Sequence, residues 1–230
     1  MSRRGEILKE MGLSPVWRLR ATVPAEDSVA ERSELQKKQG GDVARMDWAQ
    51  LKAKVAGCTD CKLRAGCRQT VFGVGDEQAH WLLIGEAPGS EEDRLGEPFV
   101  GQAGKLLDNM LASISLSRDR NVYIANVLKC RPPGNRNPEA DEVARCSPHL
   151  LRQIGLIQPK LILAMGRFAS QALLGTDATI ASLRGRVHRY AGVPLVVTYH
   201  PAYLLRNLVD KAKAWDDLCL AVETLHQAGR

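Results

Sequence analysis

Six cysteines are the first candidates for chemistry. Cys58 and Cys61, in the segment AGCTDCKLRAGC, have two residues between them, and Cys130 and Cys146 have 15. A C-x2-C pair sets two sulfur ligands on one turn, so four thiolates could hold zinc or an iron–sulfur cluster. The second pair lacks zinc-ribbon spacing and does not choose between them. For any single cysteine the ordinary alternative is a small buried hydrophobe. Cys219, at an apolar place in DDLCLAV, fits that description, whereas Cys67 could stand in for Cys58 or Cys61.

A second set is polar. The segment GEAPGSEEDRLGEPFVGQAG, residues 85–104, gathers Glu86, Glu91, Glu92, Asp93 and Glu97 among glycines, together with Phe99, one of only three phenylalanines. Carboxylates can orient water or steady a positive charge, and a loop aromatic can stack on a flat ligand. Gly96 and Gly101 let such a loop come close to what it binds. These carboxylates stand in a basic chain, with formal charge +6 and pI about 9.1. A basic surplus serves solubility or a polyanionic partner such as nucleic acid, because Lys and Arg at phosphates release counterions. The stretch LRGRVHR (183–189) adds to that charge, though by composition it is an ordinary solvated face.

Four short apolar runs must position these groups: HWLLIGE (80–86), NVYIANVL (121–128), KLILAMG (160–166) and PLVVTYH (194–200). Near-continuous apolarity marks strands buried on both faces. Helical patterns over 103–115, 139–156, 167–175 and 206–228 alternate with them, which predicts a parallel sheet covered by helices on both sides. Ligands of such sheets sit beyond the carboxyl ends of the strands. The strands end at Gly85-Glu86, Asn126 to Cys130, Gly166 and His200-Pro201, so those four tips are expected to converge on one cleft. Upstream, DWAQLKAKVAG reads as a helix capped by Asp47 and stopped by Gly57.

Residues 1–45 are polar, mixed in charge and without sustained periodicity, and they read as a mobile extension to a domain spanning 46–230. A chain of 230 residues that is 44% hydrophobic can build a proper core. No apolar run approaches the ~20 residues that span a bilayer, and the N-terminus has no apolar stretch typical of a secretory signal. The expectation is a soluble cytoplasmic protein, nucleoid-associated if it binds DNA, with no membrane partner. Disulfides are not expected there.

GEAPGSEED, EPFVGQAGKLL, NVLKCRPPGNRNP and YHPAYLLR, in this order and with the cysteine pairs, resemble the family 4 uracil-DNA glycosylases. The likeness runs from about Cys58 to about Leu225. It implies an α/β fold, a three-layer α/β/α sandwich on a central four-stranded parallel sheet. It also implies a [4Fe-4S] cluster on Cys58, Cys61, Cys130 and Cys146, with Cys67 outside the ligand set, and removal of uracil from DNA by water.

The chemistry so implied breaks the bond between C1′ and N1 through an oxocarbenium-like sugar and a uracil anion, after the base has been swung out of the duplex. Asn126 could read O4 and N3–H of uracil, where cytosine presents the opposite pattern; a lone strand-end Asn would more often bond a turn. His200, as a neutral imidazole, could donate to O2 of the leaving base, while His80, His149, His188 and His226 read as structural. Phe99 could stack on the base. In the related family 1 enzymes an Asp serves the water where this chain has Ala87, and Ala87 is expected among the residues that bind the uracil. The water-activating role then falls to Glu86, with Asn135 as its partner, and Glu92 as a further carboxylate at the site. Glu91, Glu97 and Asp108 read as surface charge. HPAYLLRNL resembles the segment that enters the duplex, with Leu204 or Leu205 as the wedge and Arg206 at a phosphate. Backbone N–H groups near Gly89 and Ser90 offer another phosphate contact.

A non-hydrolytic uracil-DNA binding or damage-sensing protein on the same scaffold is the competing expectation. A related subclass traps the sugar with a His in the loop corresponding to GNRNPE. No His lies between Cys130 and Cys146 here, which favours hydrolysis. An electron-transfer or zinc protein is the third. A monomer is expected, with residues 1–45 as a tether for replication or repair proteins.

Overall fold

The computed structural model describes residues 42–228; the expected extension therefore lies, apart from its last four residues, outside the described residues. Of those four, Val43–Arg45 form a 3-10 turn, and Arg152 Nε donates to the carbonyl of Met46 at 2.5 Å, tying this entry to the body. The helix α1 (Trp48–Ala56) begins at the expected cap: Asp47 Oδ1 accepts from Gln50 N at 2.8 Å, and Gln50 Oε1 accepts in return from Asp47 N at 3.0 Å. This reciprocal pairing satisfies donors that the first turn leaves free.

The four apolar runs become β2 (Trp81–Gly85), β3 (Val122–Asn126), β4 (Leu161–Met165) and β6 (Val193–Thr198). They are parallel, with Leu83 opposite both Ile124 and Leu163, and Leu163 opposite Val196. The sheet is nevertheless mixed and six-stranded, in the order β1-β3-β2-β4-β6-β5. Two antiparallel edge strands, β1 (Val74–Gly75) and β5 (Val187–Tyr190), flank the parallel four. The expectation of four strands missed both for physical reasons. β1 has two residues, and β5 lies in the basic LRGRVHR stretch, where its side chains alternate between exposed and half-buried. An edge strand buried on neither face carries no apolar run.

Alternate strand residues supply two cores. Leu83, Ile124, Leu163 and Val196 pack against α4 (Gln102–Ser113) and α9 (Lys211–Ala228) through Leu107, Leu111 and Leu218. Leu82, Ile84, Ala125 and Ile162 face the other way, onto α5 (Ala140–Ile157) and α6 (Arg167–Leu174), through Leu150, Ile154 and Leu173. The layers are thus α/β/α. The last helix starts five residues later than its periodicity suggested, because a short α8 (Pro201–Leu204) and a 3-10 turn, Leu208–Asp210, precede it. Among the described residues no helix is long and apolar enough to cross a membrane.

Candidate active site

The carboxyl ends of the four parallel strands open into one cleft of about 880 Å³. Glu86, Ala87 and Gly89 follow β2, Asn126 ends β3, Gly166 and Arg167 follow β4, and Tyr199 and His200 follow β6; all line the cleft. Phe99 and Arg206 reach it from loops, Glu92 from the short helix α3 (Ser90–Leu95) and Asn135 from a 3-10 turn, Pro133–Asn135.

Asn126 is 2% exposed, and its Oδ1 has no hydrogen-bond partner among the described residues. A buried carboxamide oxygen without a donor costs free energy unless a ligand supplies one. The side chain fits there because Gly85 stands opposite. A Cβ on Gly85 would lie 2.4 Å from Asn126 Oδ1 and 2.7 Å from Phe99 Cζ. The main chain behind Asn126 is pinned by a buried lysine: Lys129 Nζ donates to the Asn126 carbonyl at 2.9 Å and to Gln153 Oε1 at 2.6 Å. Burial lowers the Lys129 pKa to about 8, against the pull of Cys146. Nothing but a charge in an otherwise apolar run, NVLKC, marked this residue in the sequence.

His200 caps α8. Its Nδ1 accepts from Ala202 N at 3.1 Å, so the neutral ring carries its proton on Nε2. Burial lowers its pKa to about 4, Arg206 adds to that, and the Glu92 carboxylate opposes it. The ring stacks on Phe99, with centroids 5.4 Å apart and planes at 30°. Gly166 makes room: a Cβ there would sit 2.8 Å from His200 Cβ, and its φ of 94° suits glycine.

Phe99 is 5% exposed and holds φ at 55°, a left-handed conformation uncommon for a bulky residue. Its loop is stapled by Glu92, whose Oε1 accepts from Val100 N at 3.0 Å and Gly101 N at 3.2 Å. One oxygen of this carboxylate is therefore committed to the backbone, and the group orients the loop as well as lining the cleft. Asp93 does similar work nearby, accepting from Arg68 N at 2.9 Å. Glu86 differs. No hydrogen bond from the described residues reaches its carboxyl, and burial raises its pKa to about 7 against the opposing charge of Arg167.

Asn135 reaches the cleft but is not joined to Glu86: its Oδ1 accepts from Arg131 Nε at 2.8 Å. Its loop is held instead by Arg136, which donates to both oxygens of the fully buried Glu142, at 2.9 and 2.5 Å. Glu91 pairs with Arg94 and Asp108 with Arg118 at the surface.

At the rim the wedge expectation divides. Leu204 is 1% exposed and belongs to the core beside Leu218, so it cannot enter a duplex; α8 turns it inward. Leu205 is 43% exposed, and Arg206 is exposed on the cleft wall. Leu208 and Val209 add two exposed aliphatics that the sequence did not single out, and the segment is closed by Tyr203 Oη donating to Asp210 at 2.6 Å. Ser90 is exposed next to Gly89 but does not line the cleft.

Cys58, Cys61, Cys130 and Cys146 line a second, small hollow; Cys67 packs near Cys130 without lining it. Lys129 N donates to Cys146 Sγ at 3.3 Å, and Cys58 Sγ lies 3.7 Å from His149 Nε2. Burial raises the Cys58 and Cys130 thiols and lifts Cys146 to about 11; Cys130 is raised further by Cys67 and then by Cys146 and Cys61, and Cys146 by Cys58 and Cys61. Four sulfurs lining one hollow fit a cationic centre, which would hold them as thiolates. Cys58, Asp60 and His149 could alternatively hold a single metal ion, since one ligand atom from each lies within 4.8 Å of the others.

Residues 72–219 match the family model described as the uracil DNA glycosylase superfamily. The chain is 45% identical over 160 residues to a type-4 uracil-DNA glycosylase of Archaeoglobus fulgidus, covering 66% of this chain and 80% of that one. It is 38% identical over 183 residues to a type-4 uracil-DNA glycosylase of Pyrobaculum aerophilum, covering 76% and 93%. A type-5 uracil-DNA glycosylase of the latter organism is 36% identical over 149 residues, covering 58% and 66%.

Proposed function

The chain belongs to the uracil-DNA glycosylase superfamily, and from that premise we infer that it is a monofunctional glycosylase that removes uracil from DNA by hydrolysis. The observation that carries the assignment of residues is the unpartnered Asn126 Oδ1, buried in the same cleft as the His200 ring and Phe99. Uracil offers N3–H to that oxygen and takes a hydrogen bond at O4 from Asn126 Nδ2. Cytosine would present an acceptor and a donor in the reverse places, leaving two buried polar groups unpaired.

The uracil ring stacks on Phe99, and His200 Nε2–H donates to O2. As the C1′–N1 bond breaks, its electron pair passes to the base, and the charge arriving at O2 meets a donor already in place. Glu86 takes a proton from the water whose oxygen bonds to C1′, and its charge steadies the cationic sugar. Glu92 adds negative potential and holds the loop of Phe99. Free uracil and an abasic site, the entry to base excision repair, are the products. Leu205 occupies the gap left by the extruded nucleotide, and Arg206 and Ser90 contact the DNA backbone.

Cys58, Cys61, Cys130 and Cys146 would hold a [4Fe-4S] cluster. When bound it would supply a structural cross-link between the turn after α1, the segment after β3 and helix α5. This body, from residue 46, carries the activity; residues 1–45 are assigned to replication or repair partners, so their removal is expected to leave excision from short oligonucleotides unchanged.

The test uses labelled oligonucleotides with U:G, U:A or single-stranded uracil, treated with alkali. Strand breakage in excess over protein is the expected result. A stoichiometric protein–DNA adduct, or tight binding without breakage, would reject hydrolysis.

A further inference from the structure

We propose that Arg118 is a positioning residue for base recognition: it holds the Phe99 peptide in the left-handed conformation that presents the ring to the extruded base. The proposal rests on Phe99 as the stacking surface. A bulky residue at φ 55° persists only where its surroundings over-determine it. Arg118 supplies half of that restraint. Its NH2 donates to the Phe99 carbonyl at 3.0 Å and its NH1 to the Pro98 carbonyl at 3.4 Å. The same guanidinium is oriented by Asp108, whose Oδ1 accepts from Nε at 2.8 Å and from NH2 at 2.6 Å.

The other half comes from Glu92, which takes the N–H groups of Val100 and Gly101. Two successive carbonyls are thus held by a cation and the next two N–H groups by an anion. The turn between them has little freedom to relax. Gly104, at the start of α4, lets the helix abut the Phe99 carbonyl without a side chain between them. The planar fork of arginine spreads its donors at fixed spacing over two carbonyls and a carboxylate; a lysine ammonium has three donors but gathers them on one atom at the end of a flexible stem, which spans such a set poorly. Arg118 lies just ahead of β3 and does not line the cleft, so it acts through Phe99 and not on the substrate. Without it the Phe99 carbonyl loses its partner, and the backbone can return to negative φ, swinging the ring away from the base and from His200.

The test measures single-turnover excision, KM for DNA and inhibition by free uracil for Arg118→Met, Arg118→Lys, Phe99→Ala and the double variant Arg118→Met/Phe99→Ala. Phe99→Ala is expected to lose about 10- to 100-fold in rate. Arg118→Met is expected to lose roughly 10-fold, with the inhibition constant of uracil raised by a similar factor and KM within about twofold of the parent. Arg118→Lys should recover only part of the loss. In the double variant the Arg118 change should add almost nothing, because its target is gone. Multiplying losses, or full-rate Arg118→Met, would overturn the proposal. A full-rate Phe99→Ala would instead remove the stacking role on which it rests. Should Arg118→Met fold poorly, Asp108→Ala, which frees the guanidinium from an exposed carboxylate, should show the same non-additive pattern at smaller amplitude; additive behaviour there also counts against the proposal.

Discussion

The backbone N–H of Ala202 donates to Nδ1 of His200 at 3.1 Å, and this one bond fixes which ring nitrogen can face a departing base. With Nδ1 occupied as an acceptor, Nε2 must carry the proton of the neutral ring. Burial keeps that ring neutral down to about pH 4. The histidine is therefore a preorganised donor and not a reservoir of charge. His200→Ala is expected to slow excision about 100- to 1,000-fold, with affinity for uracil-containing DNA nearly unchanged in a gel-shift titration. A rate within a few-fold of the parent would place the leaving-group contact elsewhere.

Glu86 should govern the pH profile. Its carboxyl titrates at about 7, raised by burial and lowered by Arg167. Below that value it is protonated and cannot accept a proton from water, so the single-turnover rate should fall about tenfold per pH unit under pH 7 and level off above it. Glu86→Gln should be nearly inactive and lack that inflection.

The same shift has a stability consequence of known sign. The folded protein holds the Glu86 proton up to about 7 while the unfolded chain releases it near 4.5. The contribution is thus fully present below 4.5 and lost as pH rises through 7. At pH 8 Glu86→Gln should therefore be more stable than the parent, by at most about 3 kcal/mol and by less to the extent that solvent screens the half-buried carboxylate; denaturant titrations at pH 5 and 8 check this, and equal gains at both would reject it.

Gly85 is expected to be as sensitive as the residues it separates. A methyl group there would sit 2.4 Å from Asn126 Oδ1 and 2.7 Å from Phe99. Gly85→Ala should lose excision with little change in DNA affinity, and free uracil should no longer inhibit. Retained inhibition would mean that the base sits away from this pair.

Two cysteine variants separate the ligand sets. Cys58→Ser is expected to yield iron-poor, unstable protein, whereas Cys67→Ser should keep full iron content, since Cys67 lies off the hollow that the other four line. Iron and acid-labile sulfide per chain decide the matter, and a stable, colourless, active Cys58→Ser would exclude the cluster.

Adjacent leucines should behave oppositely. Leu204→Ala should cost about 2–5 kcal/mol of stability, as a truncation in a packed core does. Leu205→Ala should leave stability unchanged and weaken excision from duplex more than from single-stranded DNA. Melting curves and paired substrate assays distinguish the two.

Much of the molecule was legible because burial leaves a period in the chain. The runs ending at Gly85, Asn126, Gly166 and Thr198 are apolar throughout because both faces of those strands are covered, and Asp47 and Gly57 bound their helix by local hydrogen bonding alone. What lies three or four residues away is written locally. The edge strands β1 and β5 were not legible, since neither is buried. Nor was the inward turn of Leu204 beside the outward Leu205, which depends on where α8 meets α4. The commitment of Glu92 to Val100 and Gly101, the grip of Arg118 on Phe99, and Lys129 behind Asn126 all depend on how separate loops are brought together. The sequence alone determined the order of layers and which polar groups stand at strand tips. Only the tertiary structure decided which of them face one cleft and which hold it open, because side chains that meet across loops are fixed by strand register and loop path, and neither leaves a local trace in the chain.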